Sequence, residues 1–408
     1  MNPLTWRQEL LRTPLSLPQG TIIKVNGLIC EIAGIRAAIG DSLEVENNRK
    51  TRLEVVGFQS DRVLATPLGP VTGMRPGTKV QIKEPGGGIQ VGEELLGRVV
   101  DPFGRPLDGL QIPIGSSRRP LEAESPDPFS RRPIESAFST SVRAIDGLLP
   151  LGIGQRVGIF AGSGVGKSTL LGMICRGSEA DVNVIALIGE RGRELNAFIR
   201  ETLGAEGLAK SVVVAATSDQ APLLRARGAE AATAIAEEFR AQGKNVLLVM
   251  DSVTRYAMAL REVSLAAGEP PATKGYPPSV FAALPRLLER TGTAEGKGVI
   301  TALYTVLVEG DDLNDPISDT VRGILDGHIV LSRHLAEKGH FPAIDVGKSV
   351  SRLAPQIASP EHLAATHSAR NVLTTVENTQ DLIQVGAYAP GNDHHVDTCL
   401  QVHPQLET

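Results

Sequence analysis

The stretch Ala161-Gly-Ser-Gly-Val-Gly-Lys-Ser-Thr169 combines glycines, a lysine and two hydroxyls in a spacing that wraps backbone around phosphate. Glycines at 162, 164 and 166 let successive N–H groups turn inward, and a helix opening at the loop adds the positive end of its dipole. Lys167 would reach the β- and γ-phosphates of a nucleoside triphosphate and Ser168 would ligate Mg²⁺. The candidate nucleotide contacts are therefore Gly162, Ser163, Gly164, Val165, Gly166, Lys167, Ser168 and Thr169. The context agrees, because an apolar run ending at Phe160 precedes the loop and Leu170-Leu-Gly-Met-Ile-Cys175 continues as a helix. Ala161 stands where the strict pattern has glycine, a small replacement that the loop tolerates.

Phosphate binding does not by itself specify chemistry. Val246-Leu-Leu-Val-Met-Asp251 ends an apolar run in a carboxylate, at the sheet edge where open α/β folds bind ligands. Asp251 is thus a candidate to hold Mg²⁺ through water, and it also reads as the N-cap of the next helix. Ile188-Gly-Glu-Arg-Gly-Arg-Glu194 follows another apolar run. Its alternating charges also read as a solvated salt-bridge run, although the strand before it argues against that.

Apolar runs at Arg156–Phe160, Asn183–Ile188, Ser211–Ala215, Val246–Met250 and Val299–Tyr304 alternate with helical patterns. A parallel sheet covered on both faces, and hence an α/β fold, has this organisation. Ahead of it, Thr21–Val25, Leu28–Ile32, Leu53–Val56, Arg62–Thr66 and Lys79–Ile82 are short β-branched runs between turn residues, which predicts a small β-barrel or sandwich. Glu84-Pro-Gly-Gly-Gly88 is a breaker cluster between the two patterns, and residues 354–408 read as helices. The predicted division is an N-terminal segment 1–18, a β-barrel domain 19–88, a nucleotide-binding α/β core 89–353 and a C-terminal helical domain 354–408. Trp6, Leu10 and Leu11 in the first segment read either as a docking face for a regulatory partner or as a packed turn.

The 408 residues carry 41 basic and 46 acidic side chains, a net charge of -5, so the electrostatic footprint of a general nucleic-acid binder is missing. Cys30, Cys175 and Cys399 are too scattered for a disulfide framework or a structural zinc site. His394, His395 and His403 lack a partner at ligand spacing and read as solvated. With no signal-like start and no apolar stretch of roughly 18 residues, a cytosolic protein is expected.

Together with the phosphate loop, Asp251-Ser-Val-Thr-Arg255, Gly275-Tyr-Pro-Pro-Ser279 and Val308-Glu-Gly-Asp-Asp312 make the sequence resemble the type III secretion ATPase family. That family includes flagellar export and injectisome ATPases and is similar to the catalytic subunits of rotary F-type ATPases. The resemblance implies a RecA-like P-loop core that hydrolyses ATP with Mg²⁺ to release chaperones and unfold cargo at an export gate. It makes Glu190 the general base or water-orienting carboxylate, with Arg191 and Arg255 near it and the γ-phosphate. Ala343-Ile-Asp-Val-Gly-Lys-Ser-Val-Ser-Arg352 matches the segment carrying the arginine finger, so Arg352 would act on a neighbouring subunit's nucleotide. Phe341 matches the ring that stacks on adenine, and as a residue beside a proline it also reads as core.

With Glu190 and Arg352 in one chain, a homo-oligomer with identical sites follows, and the resemblance implies that it is a homohexamer. The implied partners are a stator-like regulator, a central-stalk protein, the export gate and chaperone–cargo complexes. The implied location is the cytoplasm, peripheral at the inner face of the cell membrane, with no nucleic acid bound. The flagellar branch is preferred over the injectisome branch, whose catalytic residues are the same. A helical region ending at Thr408 reads as shorter than the family's usual one. A rotary F/V-type subunit is the first alternative, weakened by the joint presence of Glu190 and Arg352. A Rho-like RNA translocase is the second, and it requires stacking aromatics that residues 20–85, with Phe58 alone, do not supply.

Overall fold

The computed structural model describes residues 19–47, 50–84, 86–111, 117–308, 310 and 315–406. Trp6, Leu10 and Leu11 lie outside the described residues, as do Glu309, Asp311 and Asp312 of the Val308–Asp312 motif.

Strands β1 (Gln19–Asn26), β2 (Ile29–Ala33), β3 (Ser42–Val45), β4 (Arg52–Gln59), β5 (Arg62–Pro67) and β6 (Lys79–Glu84) close into a barrel in the order β1-β2-β5-β4-β3-β6. Side chains alternate along the strands, so that Leu53 and Val55 face inward on either side of Glu54. They meet Ile22, Cys30, Ile32, Leu43, Val45 and Val80 in one core. Of the two predicted forms the barrel is observed, closed by a strand that no predicted run covers. Ser42-Leu-Glu-Val45 is too short to show a period, and its pairing with β4 and β6 supplies the missing link.

The second sheet runs through β7 (Arg98–Val100), β8 (Arg156–Ala161), β9 (Val182–Ile188), β10 (Ser211–Ala216), β11 (Asn245–Asp251), β12 (Val299–Leu307), β13 (Gly327–Leu331) and β14 (Ile344–Ser351). Their spatial order is β14-β13-β8-β12-β11-β9-β10-β7, with all neighbours parallel except β13 and β14. The five long apolar runs are all present as central strands. Strands β7, β13 and β14 were not predicted, because β7 is very short, β13 begins Gly-His, and β14 is a half-exposed edge with Gly347 and Lys348 inside it.

Burial on both faces explains the unbroken apolar runs. Along β9, Val182, Val184, Ala186 and Ile188 enter one core while Ile185 and Leu187 enter the other. Helices α1 (Lys167–Gly177), α2 (Pro222–Ala241) and α3 (Val253–Ala266) cover the two faces, α1 on the Ile185 side and α2 with α3 on the other. Each fully buried aliphatic side chain there contributes about 1.5–3 kcal/mol, so the sheet is a rigid platform for the loops at its carboxyl edge.

Helix α4 (Pro316–Ile324) precedes β13, and α5 (Pro360–Gln384) and α6 (His394–Leu406) form the C-terminal helical region. The Ser359 hydroxyl caps α5 by accepting from the His362 N–H. One carbonyl, that of Gly147, receives both the Thr366 hydroxyl at 3.0 Å and the His362 ring nitrogen at 2.8 Å, which fastens α5 to the core. Among the described residues no cluster of three metal-ligating side chains occurs, and no helix is long and apolar enough to cross a membrane.

Candidate active site

Strand β8 ends at Ala161, and the chain then turns through Gly164 and Gly166 at φ of 81° and 87°. Side-chain-bearing residues avoid that region, so the loop's path requires glycine there. Gly166 is also the N-cap of α1 and offers no side chain to the helix's first N–H groups. Those donors are left for an anion, at the end of the helix where the dipole favours one.

The three polar residues singled out around the loop converge. The Lys167 ammonium lies 2.5 Å from Asp251 Oδ1 and 3.8 Å from Glu190 Oε1, so one cation bridges two carboxylates delivered by β11 and by the loop after β9. Asp251 is buried and also accepts from the Thr305 hydroxyl at 2.7 Å. It is not the N-cap of α3. That position belongs to Ser252, whose hydroxyl accepts from the Arg255 N–H at 3.2 Å, leaving Asp251 committed to the cleft. Thr305 is a contact that sequence reasoning missed, since a threonine in an apolar strand gives no signal of its own.

Glu190 and the charges after it part company. Its side chain is 20% exposed, whereas those of Arg191 and Arg193 are 71% and 80% exposed. Burial, followed by the nearby Asp251 charge, raises the Glu190 carboxyl from 4.5 to about 7, against the opposing pull of Lys167 and Arg255. A hydrogen bond with Glu194 adds to the upward shift. A general base working near neutrality needs such a value.

The arginines divide. Arg255 packs its stem over Gly189, where a Cβ would sit 3.1 Å from Arg255 Cβ and Cγ, and φ is 72°. This close approach holds its charge beside Glu190, and its Nε is buried with no hydrogen-bond partner among the described residues. Arg191, expected at the γ-phosphate, instead points out to Glu194 Oε1 at 3.5 Å. It caps the helical turn Gly192–Ala197, so a first-turn glutamate three residues on is its nearest partner.

Phe341 is 61% exposed, and its ring lies 3.5 Å from where a Cβ on Gly166 would be. The core reading of this residue therefore gives way to a ring standing over the phosphate loop. Arg352 lies elsewhere. Strand β14 starts beside Leu331, level with Ala161, and runs back to place Ser351 beside Gly327 at the sheet's amino edge. The length of β8 separates the two edges by about 16 Å. There the Arg352 side chain is exposed and donates to the Arg322 carbonyl at 3.2 Å, turned away from its own phosphate loop.

Models of three protein families match consecutive parts of the chain. They are the beta-barrel domain of the ATP synthase alpha/beta family over residues 20–83, its nucleotide-binding domain over 141–351, and the T3SS EscN ATPase C-terminal domain over 358–408. The flagellum-specific ATP synthase of Bacillus subtilis is 53% identical over 391 residues, 95% of this chain and 89% of its own length. The type 3 secretion system ATPase of Xanthomonas euvesicatoria is 49% identical over 399 residues, covering 97% and 90%. The solved structure of the assembled ATPase EscN with its central stalk EscO, from the type III secretion system of enteropathogenic E. coli, superposes with a TM-score of 0.88. It is 49% identical and covers 95% of this chain and 94% of that one.

Proposed function

This chain belongs to the type III secretion ATPase family, a branch of the ATP synthase alpha/beta family, and on that premise we propose that it is a Mg²⁺-dependent ATPase that energises type III protein export. The observation that carries the reading is the Lys167 ammonium held between Glu190 and Asp251 at the mouth of the phosphate loop.

Each residue then has a task. Lys167, a mobile cation, exchanges its carboxylate partners for the β- and γ-phosphates of ATP. Ser168, exposed in the first turn of α1, and Asp251 present the hydroxyl and carboxylate oxygens that suit a hard cation, and Mg²⁺ held there would neutralise phosphate charge. Glu190, poised near 7, accepts a proton from the water that attacks the γ-phosphate. Arg255 faces the same carboxylate and is available to the terminal phosphate, and Phe341 offers its exposed ring to the adenine.

The transition-state charge still needs a cation from outside the chain. Arg352 stands at the wrong edge to serve its own loop and is free to serve a neighbour's, which supports a homohexameric ring. EscN, solved assembled and with a central stalk, supports the same arrangement here. A stator-like regulator, the export gate and chaperone–cargo complexes complete the proposed partners, at the cytoplasmic face of the cell membrane. The flagellar branch is favoured by the 53% identity to the B. subtilis protein, against 49% to the Xanthomonas one.

A rotary subunit is disfavoured by one chain's holding both Glu190 and Arg352, and an RNA translocase by a barrel whose lone aromatic is Phe58. An ATPase assay of the wild type and Lys167→Ala, with and without single-stranded RNA, tests the proposal. Turnover abolished by the substitution and indifferent to RNA is expected. Normal turnover in Lys167→Ala would overturn the site, and RNA-dependent turnover would favour the translocase.

A further inference from the structure

Arg352 is exposed, yet the backbone that launches it is unusually well held. Its N–H donates to the Asp326 carbonyl at 3.1 Å. The Asp326 carboxylate is in turn gripped by Arg156, which donates its main-chain N–H and Nε to Oδ2 at 3.0 and 3.1 Å and an Nη2 hydrogen to Oδ1 at 3.2 Å. Asp326 returns its own N–H to the Arg156 carbonyl at 2.9 Å. Gln155, fully buried, donates from Nε2 to the same Asp326 carbonyl at 3.0 Å and to the Ser351 hydroxyl at 3.4 Å. The Ser351 hydroxyl donates onward to the Pro150 carbonyl at 2.6 Å. The last residue of β14 and the main chain of Arg352 are thereby tied to the first residues of β8.

A two-point ion pair is more than the edge ladder needs to stay paired. Such pairs, once desolvated, contribute little net stability, but they fix geometry more tightly than a point charge does. Strand β8 is hydrogen-bonded on both sides, to β12 and β13, and its far end is the phosphate loop. One rigid strand thus carries the subunit's own loop at one end and the base of its outward-pointing arginine at the other.

We propose that the Arg156–Asp326 pair is a positioning device for Arg352, setting the reach of the guanidinium that one subunit lends to the next. This rests on the reading of Arg352 as a residue acting in trans.

Asp326→Asn keeps the side-chain shape and the main-chain carbonyl while removing the charge that Arg156 grips. Arg156→Lys loosens the same grip from the other side, together with the Arg156 contact to Glu289 at 2.5 Å, and serves if the first variant folds poorly. Each variant should assemble with an unchanged KM for ATP, because its own phosphate loop is intact. Its kcat should fall roughly tenfold to a hundredfold, the effect of moving a reacting group by about an ångström. Mixed rings separate positioning from general structure. Asp326→Asn mixed with Glu190→Gln should regain activity, since the second variant supplies a well-placed Arg352. Mixed with Arg352→Ala it should regain none, since no subunit then has one. An unchanged kcat in both variants, or equal recovery in the two mixtures, would overturn the proposal. The control mixture of Arg352→Ala with Glu190→Gln distinguishes the causes. Recovery there confines a failure to the positioning role, whereas no recovery overturns the trans reading and the proposal with it.

Discussion

Lys167 between Glu190 and Asp251 is a charge arrangement awaiting a more anionic partner, and each carboxylate answers differently to its removal. Asp251 keeps the Thr305 hydroxyl, whereas Glu190 depends on a half-buried setting that favours its protonated form. Glu190→Gln preserves shape but cannot accept a proton, so ATP should bind and persist unhydrolysed. Isothermal titration checks this, and lost ATP binding would contradict the role. The shifted carboxyl also bears on stability. Its folded value of about 7 lies above the ordinary 4.5, so its contribution is full below 4.5 and is lost as pH rises through 7. Glu190→Gln never releases a proton and should be the more stable protein at pH 8, by about 3 kcal/mol. The difference should vanish near pH 4, as denaturant midpoints at the two pH values would report. In the same way, kcat/KM of the wild type should fall below a midpoint near pH 7.

At the scale of elements, what positions the site is a set of strand ends, and Gly189 and Phe341 show how closely the chain is fitted there. Gly189→Ala would force a Cβ against the Arg255 stem in a left-handed backbone region. The expected result is a markedly lower kcat with ATP affinity retained, since Arg255 and Glu190 move while the phosphate loop does not. Parallel measurement of kcat and nucleotide Kd checks it. Phe341→Ala should raise the KM for ATP roughly tenfold, the scale of one base–aromatic stack, with little change in kcat. The sequence made the long central strands readable because burial on both faces demands unbroken apolar runs. It did not reveal β3, β7, β13 or β14, which are short or lie at an edge, where neighbours rather than periodicity decide the conformation. Lys167, Glu190 and Asp251 could be found from motif and strand context. The outward turn of Arg191 could not, because it follows from a local pairing with Glu194 that competes with any ligand.

The whole molecule is a barrel, a two-faced sheet and a helical hairpin, and the joint between the first two is itself charged. Arg227 of α2, 3% exposed, meets Glu54 of β4 at 2.8 Å and lies over the Phe103 ring at 4.6 Å. This buried link joins the barrel to the core. One subunit holds a complete phosphate loop and the proposed base, Glu190, but turns its Arg352 to the opposite edge, so specific activity should rise with protein concentration as copies assemble. The most direct test is to mix Arg352→Ala with Glu190→Gln and assay ATP hydrolysis in rings confirmed by mass to contain both. Activity above that of either variant alone is predicted, because an interface pairing the intact Glu190 of one with the intact Arg352 of the other is complete. Mixed rings no more active than their parents, with a wild type whose specific activity does not depend on concentration, would contradict a site shared between subunits.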